Sequence, residues 1–459
     1  MDVSLSRALV RLLLQRQREG LPQATRDKAL LHIADTLGVG LAAARSGALA
    51  TSVVDAMRMG ADGGRCGVLG SPHRLAPPAA AFANAALMHL LDFDDIHDAA
   101  RLHPTPVALA AALAAVPQSK EAGQGARVVD AVALGDELIC RLGAMLSPTG
   151  TGPGSDWFLT QLFGYMGAAL AAGIVMGHIE DQIVSAIGLA YMQAAGGKQA
   201  GFGTGSNARA IYPAFAAQGG VQASLIAAAG IVGPEQSLDG AAGLFKIYLG
   251  IEASTERRAQ LLAREGWAFE AVQIKRWPCC RLSHPYVVAA QDVRATMVAA
   301  RAVAADVERV DVAVNPSAAK LCRPLEQRRR PDTLQDAKYS IPWMTAFTLT
   351  HGCVDLQTLG DHALPGVAVH ALADRVHIHE TLPDNPGHPP AEIRVTLKNG
   401  QVIASAPVGD VAIGAQQVRE KFDACLAYAG HSEAQARALW SRLSALHEET
   451  DVGFVFAPE

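Results

Sequence analysis

Apolar residues recur every three to four positions through the first half of the chain, which predicts helices. In residues 24–47 (ATRDKALLHIADTLGVGLAAARSG) this spacing runs up to a glycine, a common helix stop. The same pattern recurs at residues 76–91, 105–116, 126–147, 158–176, 180–195 and 214–231. The opening residues, MDVSLSRALVRLLLQRQRE, place arginines among apolar positions, so we expect a short amphipathic helix there and not a signal peptide. No stretch of this half alternates like a strand for long.

The pattern changes near residue 270. Residues 307–314, 375–380 and 392–406 alternate apolar and polar side chains with period two, and the last segment carries an Asn399-Gly400 turn typical of a hairpin. Helical patterns at 284–304 and 339–351 lie among these strands, and helical spacing returns after about residue 408. We therefore predict a mainly α protein in which a large discontinuous all-helical domain (1–268 and 408–459) is interrupted by a smaller α+β domain (269–407).

Composition narrows the class of protein. Half of the 459 residues are apolar and only 5% are aromatic, so small aliphatic side chains must do most of the packing, which suits closely packed helices. The 39 Lys+Arg and 44 Asp+Glu are interspersed, and a net charge of −5 gives no basic surface for nucleic acid. The seven cysteines show no C-x-x-C spacing, and apolar stretches such as 165–178 are shorter than the ~18 residues of a membrane span. We expect a cytoplasmic protein with reduced thiols and no nucleic-acid or membrane partner.

Charge is concentrated in residues 91–107, LDFDDIHDAARLHPTPV. Four carboxylates (Asp92, Asp94, Asp95, Asp98) and two imidazoles (His97, His103) lie within twelve residues. A solvated loop between two helices, a metal site and a proton-transfer site are three readings of such a cluster. The spacing matches neither H-E-x-x-H nor an EF-hand, so we expect no metal. A solvated loop remains open for part of these charges.

Two further stretches bring cations. Residues 206–220 contain Arg209 and Tyr212, and residues 274–290 contain Lys275, Arg276, Arg281 and His284. Together these side chains are explained if they converge on an anionic substrate, whereas each Lys or Arg taken alone is better explained as a solvated surface residue. The glycine-rich residues 201–205 (GFGTG) follow no strand and are predicted to form a turn, not a nucleotide-binding loop.

Several of these stretches together resemble the MmgE/PrpD family. They are HIADTLGVGLAA (32–43), LDFDDIHDAARLHPTPVALAAALA (91–114), ARAIYPAFAAQGGVQASLIAAAGIVGP (208–234), IKRWPCCRLSHP (274–285) and DAKYSIPWMTAFTLTHG (336–352). The resemblance implies a helical domain built from both ends of the chain, an α+β lid between them, an active site in the cleft and a homodimer. It also implies cofactor-free action on small di- or tricarboxylates, as in 2-methylcitrate dehydratases, cis-aconitate decarboxylases and iminodisuccinate epimerases.

The resemblance also assigns residues. The active-site Asp that begins the family's D-x-D-D-T motif falls on Asp92, and the His before Pro falls on His103. The basic residue of its T-K-x-L-H stretch falls on Arg209, with Tyr212 where the family often has His, and the lysine of its K-x-x-P stretch falls on Lys275. The chain departs from the pattern at Ile96, where the family has Thr, and this change puts the substrate in question.

These residues suit proton transfer next to a carboxylate, a reaction in which negative charge builds on an enolate-like group. Lys275 and Arg209 would hold the substrate carboxylates, and His103 would act as general base or acid with Asp92 as its partner. Further substrate contacts are expected from Ile96, His97, Tyr212, Arg276 and His284, with His97, Tyr212 or a lysine as a possible second acid. The leading hypothesis is a lyase of the 2-methylcitrate dehydratase type. The alternatives are a cis-aconitate-type decarboxylase, an iminodisuccinate-type epimerase and a catalytically silent carboxylate-binding protein.

Overall fold

The computed structural model describes residues 3–119, 122–147, 150–201, 206–383, 390–409 and 412–457. Residues 202–205 of the predicted glycine-rich turn lie outside the described residues. The chain divides into two compact units. The first consists of Met1–Lys198, Ala210–Ile274 and Gly414–Glu459, and the second of Gln199–Arg209 and Lys275–Ile413. The domain boundaries expected at residues 268 and 408 stay a prediction, as does a lid.

Helices make up most of the first unit and are also present in the second. They are α1 (Leu5–Glu19), α2 (Gln23–Ala43), α3 (Ala48–Ala61), α4 (Pro77–Leu90), α5 (Thr105–Ala115), α6 (Gln124–Ala144), α7 (Leu159–Met176), α8 (Glu180–Tyr191), α9 (Tyr212–Ala228), α10 (Thr255–Leu261), α11 (His284–Ala299), α12 (Pro316–Ala319), α13 (Leu325–Arg329), α14 (Leu334–Lys338), α15 (Ile341–His351), α16 (Val367–Ala373), α17 (Ala415–Tyr428) and α18 (Glu433–Ser444). The mainly α class and each predicted helix are therefore confirmed, with boundaries shifted by a few residues.

Strands are short and few among the described residues. They are β1 (Asp62–Val68), β2 (Ser71–Leu75), β3 (Ile96–His97), β4 (Val272–Gln273), β5 (Val307–Val314), β6 (Val376–Glu380), β7 (Glu392–Leu397) and β8 (Val402–Ala404). The three period-two segments are confirmed as β5, β6 and the β7–β8 hairpin. The hairpin turns at Gly400, which has φ +85°.

The first unit is organised around α7, which packs against α5, α6, α8 and α9. Its contacts are close because small residues face each other: a Cβ at Gly167 would lie 2.3 Å from Cγ1 of Ile139, and one at Gly220 would lie 2.3 Å from Cβ of Ala168. The alanine- and glycine-rich composition therefore sets the helix spacing. With 18 residues, α7 is long and apolar enough to cross a membrane, but 94% of it is buried inside the protein, as in the core helix of a globular unit.

The expectation that the first half carries no strands was wrong. The antiparallel hairpin β1–β2 follows α3, which was also not predicted. Glycines remove the side chains that would show alternation in its sequence, DGGRCGV. Gly64 is required sterically, since a Cβ there would lie 2.0 Å from the backbone of Leu75. The buried Asn84 of α4 fixes the hairpin by accepting from the Leu69 N–H and donating to the Gly67 carbonyl, both at 2.9 Å.

The second unit contains a four-stranded sheet with the order β6-β5-β7-β8. Strand β5 runs parallel to β6 and antiparallel to β7, and β7 pairs with β8 in the antiparallel hairpin. Helices α11 and α15 pack on the sheet and on each other. Val310, Val312 and Val395 of the strands and Trp343 and Phe347 of α15 are fully or almost fully buried in its core. This unit has the α+β character expected from its alternating segments.

Candidate functional site

The acidic stretch folds into a buried loop between α4 and α5. Asp94 and Asp95 are completely buried and Asp92 is 1% exposed, so a solvated loop does not describe these three carboxylates. Asp92 adopts a positive φ of 57°, a conformation that non-glycine residues rarely take and that aspartate tolerates better than most. His97 lies in β3, which pairs with β4 across the base of the loop. The loop is therefore held in one shape from within the first unit.

Asp94 lies between two imidazoles. Its Oδ2 atom is 2.7 Å from Nδ1 of His89, in the last turn of α4, and 3.3 Å from Nδ1 of His103. Burial alone would raise the pKa of the Asp94 carboxyl, but the charges and hydrogen bonds of His89 and His103 hold it well below its usual value. Burial lowers the pKa of His89. The Asp94 carboxylate thus accepts a hydrogen bond from Nδ1 of His89.

The hydrogen bonds of His103 determine which ring nitrogen is basic. Nδ1 lies 2.6 Å from the backbone carbonyl oxygen of Asp95, and the backbone N–H of His103 donates to Oγ1 of Thr160 at 2.8 Å. A carbonyl oxygen can only accept, so Nδ1 carries the proton. In the neutral ring the lone pair is therefore on Nε2. Asp94 is a carboxylate within reach of the ring, with Oδ2 3.3 Å from Nδ1. The pairing of His103 with Asp92 stays a prediction.

Aromatic rings pack beside the two histidines. Tyr212 begins α9, stacks on Phe158 at 4.3 Å between ring centroids and meets the ring of His89 edge-on at 5.0 Å. The rings of His89 and His103 are also 5.0 Å apart. The Tyr212 hydroxyl lies 3.3 Å from Oγ1 of Thr160. The structure thus brings the predicted site residue Tyr212 to the predicted base, His103.

Behind the loop, the Asp95 side chain joins a second group of polar residues. Its Oδ2 atom accepts from Nδ1 of His32 at 2.7 Å and lies 2.5 Å from Oγ1 of Thr105. The same hydroxyl is 2.7 Å from Oδ2 of Asp136 on α6. Burial, and then the charge of Asp95, raise the pKa of Asp136 well above its usual value. Two buried carboxyl groups thus share one hydroxyl.

Lys421 of α17 brings a positive charge to the acidic loop. Lys421 is only 7% exposed. Its ammonium group lies 2.8 Å from Oδ1 of Asp35 and donates to the Phe93 carbonyl at 2.6 Å. It also lies 3.9 Å from the centroid of the Phe93 ring. Burial raises the pKa of Asp35 to about 6 even though Lys421 opposes the shift. A lysine near the end of the chain therefore holds the centre of the acidic loop.

His89, Asp94 and His103 together offer two imidazoles and a carboxylate whose ligand atoms lie within 4.8 Å of one another. This composition is compatible with a small cation. However, both Nδ1 atoms face acceptors at hydrogen-bond distance, so an ion bound through them would have to replace those hydrogen bonds. The residues fit a hydrogen-bonded proton-transfer group better than a metal site, and the expected absence of a metal stays a prediction.

His97 and Ile96 have structural contacts of their own. Nδ1 of His97 accepts the backbone N–H of Ala100 at 3.1 Å, and burial lowers the pKa of this imidazole. Ile96 is half-buried and pairs with Gln273. Both residues therefore shape the loop, and their predicted contacts with substrate stay predictions.

The predicted cations Arg209, Lys275 and Arg276, and His284, belong to the second unit. Lys275 is 1% exposed. The guanidinium of Arg209 lies 3.4 Å from the ring centroid of Tyr339 and donates to the Gly201 carbonyl at 3.3 Å.

Arg276 and His284 both lie against Trp277. Arg276 is exposed, with its guanidinium 4.8 Å from the Trp277 ring centroid. His284 is fully buried and meets the Trp277 ring edge-on at 5.1 Å. Their roles in substrate binding stay predictions. The exposure of Arg276 also agrees with the alternative interpretation of this residue as a solvated surface arginine.

Models of known protein families match most of the chain. The model of the MmgE/PrpD N-terminal domain matches residues 7–256, and that of the MmgE/PrpD C-terminal domain matches residues 277–444. The chain belongs to the MmgE/PrpD family.

Relatives of this MmgE/PrpD protein include lyases. It is 29% identical to the "cis-aconitate decarboxylase-like protein oryM" of Aspergillus oryzae over 78% of this chain and 77% of that protein. It is 30% identical to a cis-aconitate decarboxylase of Aspergillus terreus over 50% of this chain and 48% of that enzyme, and 27% identical to the Homo sapiens enzyme over 72% and 68%. Lyase-type chemistry is therefore supported at the level of the family.

Sequence reasoning missed several residues of this MmgE/PrpD site. Asp94 and Asp95 were noted within the acidic stretch but received no role, and His32, His89, Thr105, Asp136, Thr160 and Lys421 were not singled out. A usable signal existed for His32, because it lies with Asp35 in the mainly apolar part of α2, residues 29–43, and buried polar groups need partners. No local pattern pointed to Lys421 or Asp136.

Proposed function

We propose that the protein is a cofactor-free lyase that moves a proton at the carbon next to a carboxylate of a small di- or tricarboxylate. The observation that carries this proposal is the fixed tautomer of His103, whose Nδ1–H is bonded to the Asp95 carbonyl at 2.6 Å. Nε2 is then the basic atom. It keeps that role through every turnover, because the Asp95 carbonyl can only accept and so requires the proton to stay on Nδ1.

The residues around His103 support both halves of a proton transfer. When Nε2 takes a proton the ring becomes cationic, and Asp94, 3.3 Å from Nδ1, stabilises that charge. When the ring returns the proton, Asp94 and the Asp95 carbonyl hold the imidazole in place for the next cycle. Burial of this group strengthens each electrostatic contact by excluding water.

Decarboxylation of a cis-aconitate-type substrate is the reaction that the comparisons favour. Loss of CO₂ leaves the bonding electron pair on the substrate as a carbanion. Protonated His103 would then donate its Nε2 proton to that carbon. This needs a single proton donor. The named decarboxylases among the relatives support this order of preference over the dehydration that the sequence patterns placed first.

Dehydration of a 2-methylcitrate-type substrate is the second candidate. It needs one group to remove a proton and another to protonate the departing hydroxyl. The contact of His103 with His89, and of His89 with Tyr212, supplies neighbouring groups that suit this second role. Epimerisation of an imino-dicarboxylate would also need two acid/base groups, one to remove the proton and one to return it on the opposite face.

The proposal keeps four expectations from the sequence, of which the cytoplasmic location comes from composition and the other three from the resemblance. Arg209 and Lys275 bind substrate carboxylates, residues 269–407 act as a lid, the protein is a homodimer, and it works in the cytoplasm. The first expectation is tested through KM: Lys275→Met and Arg209→Met should raise KM, and Lys398→Met, at an exposed lysine of the same unit, serves as the matched comparison for removal of a cation.

The test is proton NMR of the purified protein in D₂O with cis-aconitate, 2-methylcitrate, citrate and iminodisuccinate in separate samples. A decarboxylated alkene from cis-aconitate supports the first candidate, and new alkene signals from 2-methylcitrate support the second. Exchange of a substrate proton without net product from iminodisuccinate supports epimerisation. Tight binding of these compounds without exchange or product overturns the lyase proposal in favour of a silent binding protein.

A further inference from the structure

The group behind the acidic loop contains one hydroxyl between two carboxyl groups. Oγ1 of Thr105 lies 2.5 Å from Oδ2 of Asp95 and 2.7 Å from Oδ2 of Asp136, and all three side chains are completely buried. A threonine hydroxyl has one proton to donate. It can satisfy one carboxylate, and at the other contact it must accept. One of the two carboxyl groups therefore carries a proton.

The surrounding donors identify which group that is. Asp95 Oδ2 also accepts from Nδ1 of His32 at 2.7 Å, so two donors converge on this oxygen, as an ionised carboxylate requires. For Asp136, the described residues provide one contact at Oδ2, the Thr105 hydroxyl. The Oδ1 atoms of Asp136 and Asp95 both have no hydrogen-bond partner among these residues, so the two groups differ at Oδ2. A buried charge with so few partners is costly, whereas a neutral carboxyl group needs little more than an acceptor for its proton.

We propose that Asp136 is held in its protonated, neutral form and that it is a positioning residue for the candidate base His103. Its O–H donates to Oγ1 of Thr105, and the Thr105 hydroxyl donates in turn to the Asp95 carboxylate. His32 completes the restraint on the same oxygen of Asp95. This one-directional chain fixes Asp95, whose own backbone carbonyl receives Nδ1–H of His103.

The inference rests on the proposed function for its catalytic meaning, because it describes how His103 is kept in the tautomer that exposes Nε2. The protonation state itself does not depend on that function. Other titratable groups near Asp136 are Lys28 of α2 and Glu137 and Cys140 of α6, in addition to Asp95 and His32. These groups are present in both wild type and an Asp136 variant, so a difference measurement is needed to detect the proton on Asp136.

The first arm of the test is infrared difference spectroscopy of the full-length protein at neutral pH. The wild-type spectrum minus that of Asp136→Asn should contain the C=O stretching band of one protonated carboxyl group, with a small shift in D₂O because the proton exchanges. If the difference contains only carboxylate bands, Asp136 is ionised and the inference is wrong.

The second arm compares conservative and disruptive variants on whichever substrate is turned over. Asp136→Asn and Thr105→Ser keep the chain, since an amide N–H can donate where the carboxyl did, and kcat should stay within about threefold of wild type. Thr105→Val breaks the chain at its centre and should lower kcat by about tenfold or more, with a smaller change in KM. A shift of the pH profile of kcat in Thr105→Val, absent from Thr105→Ser, separates this role from a loss of folding.

The outcomes distinguish this inference from the proposed function. If Asp136→Asn loses as much activity as Thr105→Val, the neutral carboxyl is wrong. If Thr105→Val is as active as Thr105→Ser, the positioning role is wrong. If wild type turns over none of the substrates, the proposed function fails, and the infrared band still decides whether Asp136 carries the proton.

Discussion

Nδ1 of His103 and the backbone carbonyl of Asp95 are 2.6 Å apart, and this contact sets the chemistry of the site. It links the imidazole to the backbone of the acidic loop and not to a mobile side chain. The position and tautomer of the candidate base are therefore controlled by whatever holds Asp95 and the loop.

Thr160 is one such support. Its Oγ1 accepts the backbone N–H of His103 at 2.8 Å and lies 3.3 Å from the Tyr212 hydroxyl. In Thr160→Val the buried N–H loses its acceptor, which should lower the free energy of unfolding by about 1–3 kcal/mol. Urea denaturation monitored by circular dichroism measures this, with Thr160→Ser as the control that keeps the hydroxyl. Equal stability of the two variants would show that the contact is not needed.

Lys421 supports the loop from α17. Removing its charge in Lys421→Met leaves Asp35 buried without its cation, and breaking such a pair costs about 3–5 kcal/mol. We expect a loss of that order in the free energy of unfolding. The double variant Lys421→Met/Asp35→Asn removes both charges and should recover most of the loss. If the double variant is as unstable as the single one, packing of the lysine stem and not the ion pair accounts for the effect.

The raised pKa of Asp136 predicts a pH dependence with a definite sign. In the unfolded chain this carboxyl loses its proton near its ordinary pKa, while in the folded protein it keeps it to a higher pH. Its contribution to stability is thus full below the ordinary pKa and is lost as the pH rises toward the folded pKa. Because asparagine does not titrate, Asp136→Asn should gain stability relative to wild type by about 1.4 kcal/mol per pH unit in this window.

Unfolding of both proteins by urea at several pH values between 5 and 8 measures this difference. All other titrating groups are the same in the two proteins, so their contributions cancel in it. A difference that does not change with pH would mean that Asp136 has the same pKa in the folded and unfolded states.

The hydrogen-bonded arrangement of His89, Asp94 and His103 predicts that activity does not depend on a metal. After dialysis against EDTA, turnover of the identified substrate should be unchanged, and elemental analysis of the protein as purified should show no stoichiometric transition metal. Loss of activity on chelation, restored by one divalent cation, would instead assign the three side chains as ligands.

Much of the fold follows from local patterns. Helices such as α2 and α7 and the β7–β8 hairpin were predictable because apolar periodicity and the Asn399-Gly400 turn act over a few residues. The β1–β2 hairpin was not, since Gly63, Gly64 and Gly67 remove the side chains whose alternation would have marked it. Gly64 is necessary because the Leu75 backbone approaches it closely, and Gly67 because the Phe456 ring does, and both approaches are known only once the chain has folded.

The site was predictable only in part, for a related reason. The acidic stretch drew attention to Asp92 and His103 because their neighbours in sequence are charged. Their supports come from distant positions: Lys421 reaches Phe93 across 328 residues, and His32 reaches Asp95 across 63. Burial excludes a solvated loop, one of the readings left open, for Asp92, Asp94 and Asp95. Distant residues, His32 and Lys421, instead hydrogen-bond within the loop.

The most direct test of the central claim is the turnover rate of His103→Ala on the substrate identified by NMR. If Nε2 of His103 transfers the proton, kcat should fall by roughly 10²–10⁴-fold. His431→Gln, at a half-buried histidine between α17 and α18, is the matched control and should retain wild-type activity. Near wild-type turnover by His103→Ala would contradict the account and transfer the role of base to another residue.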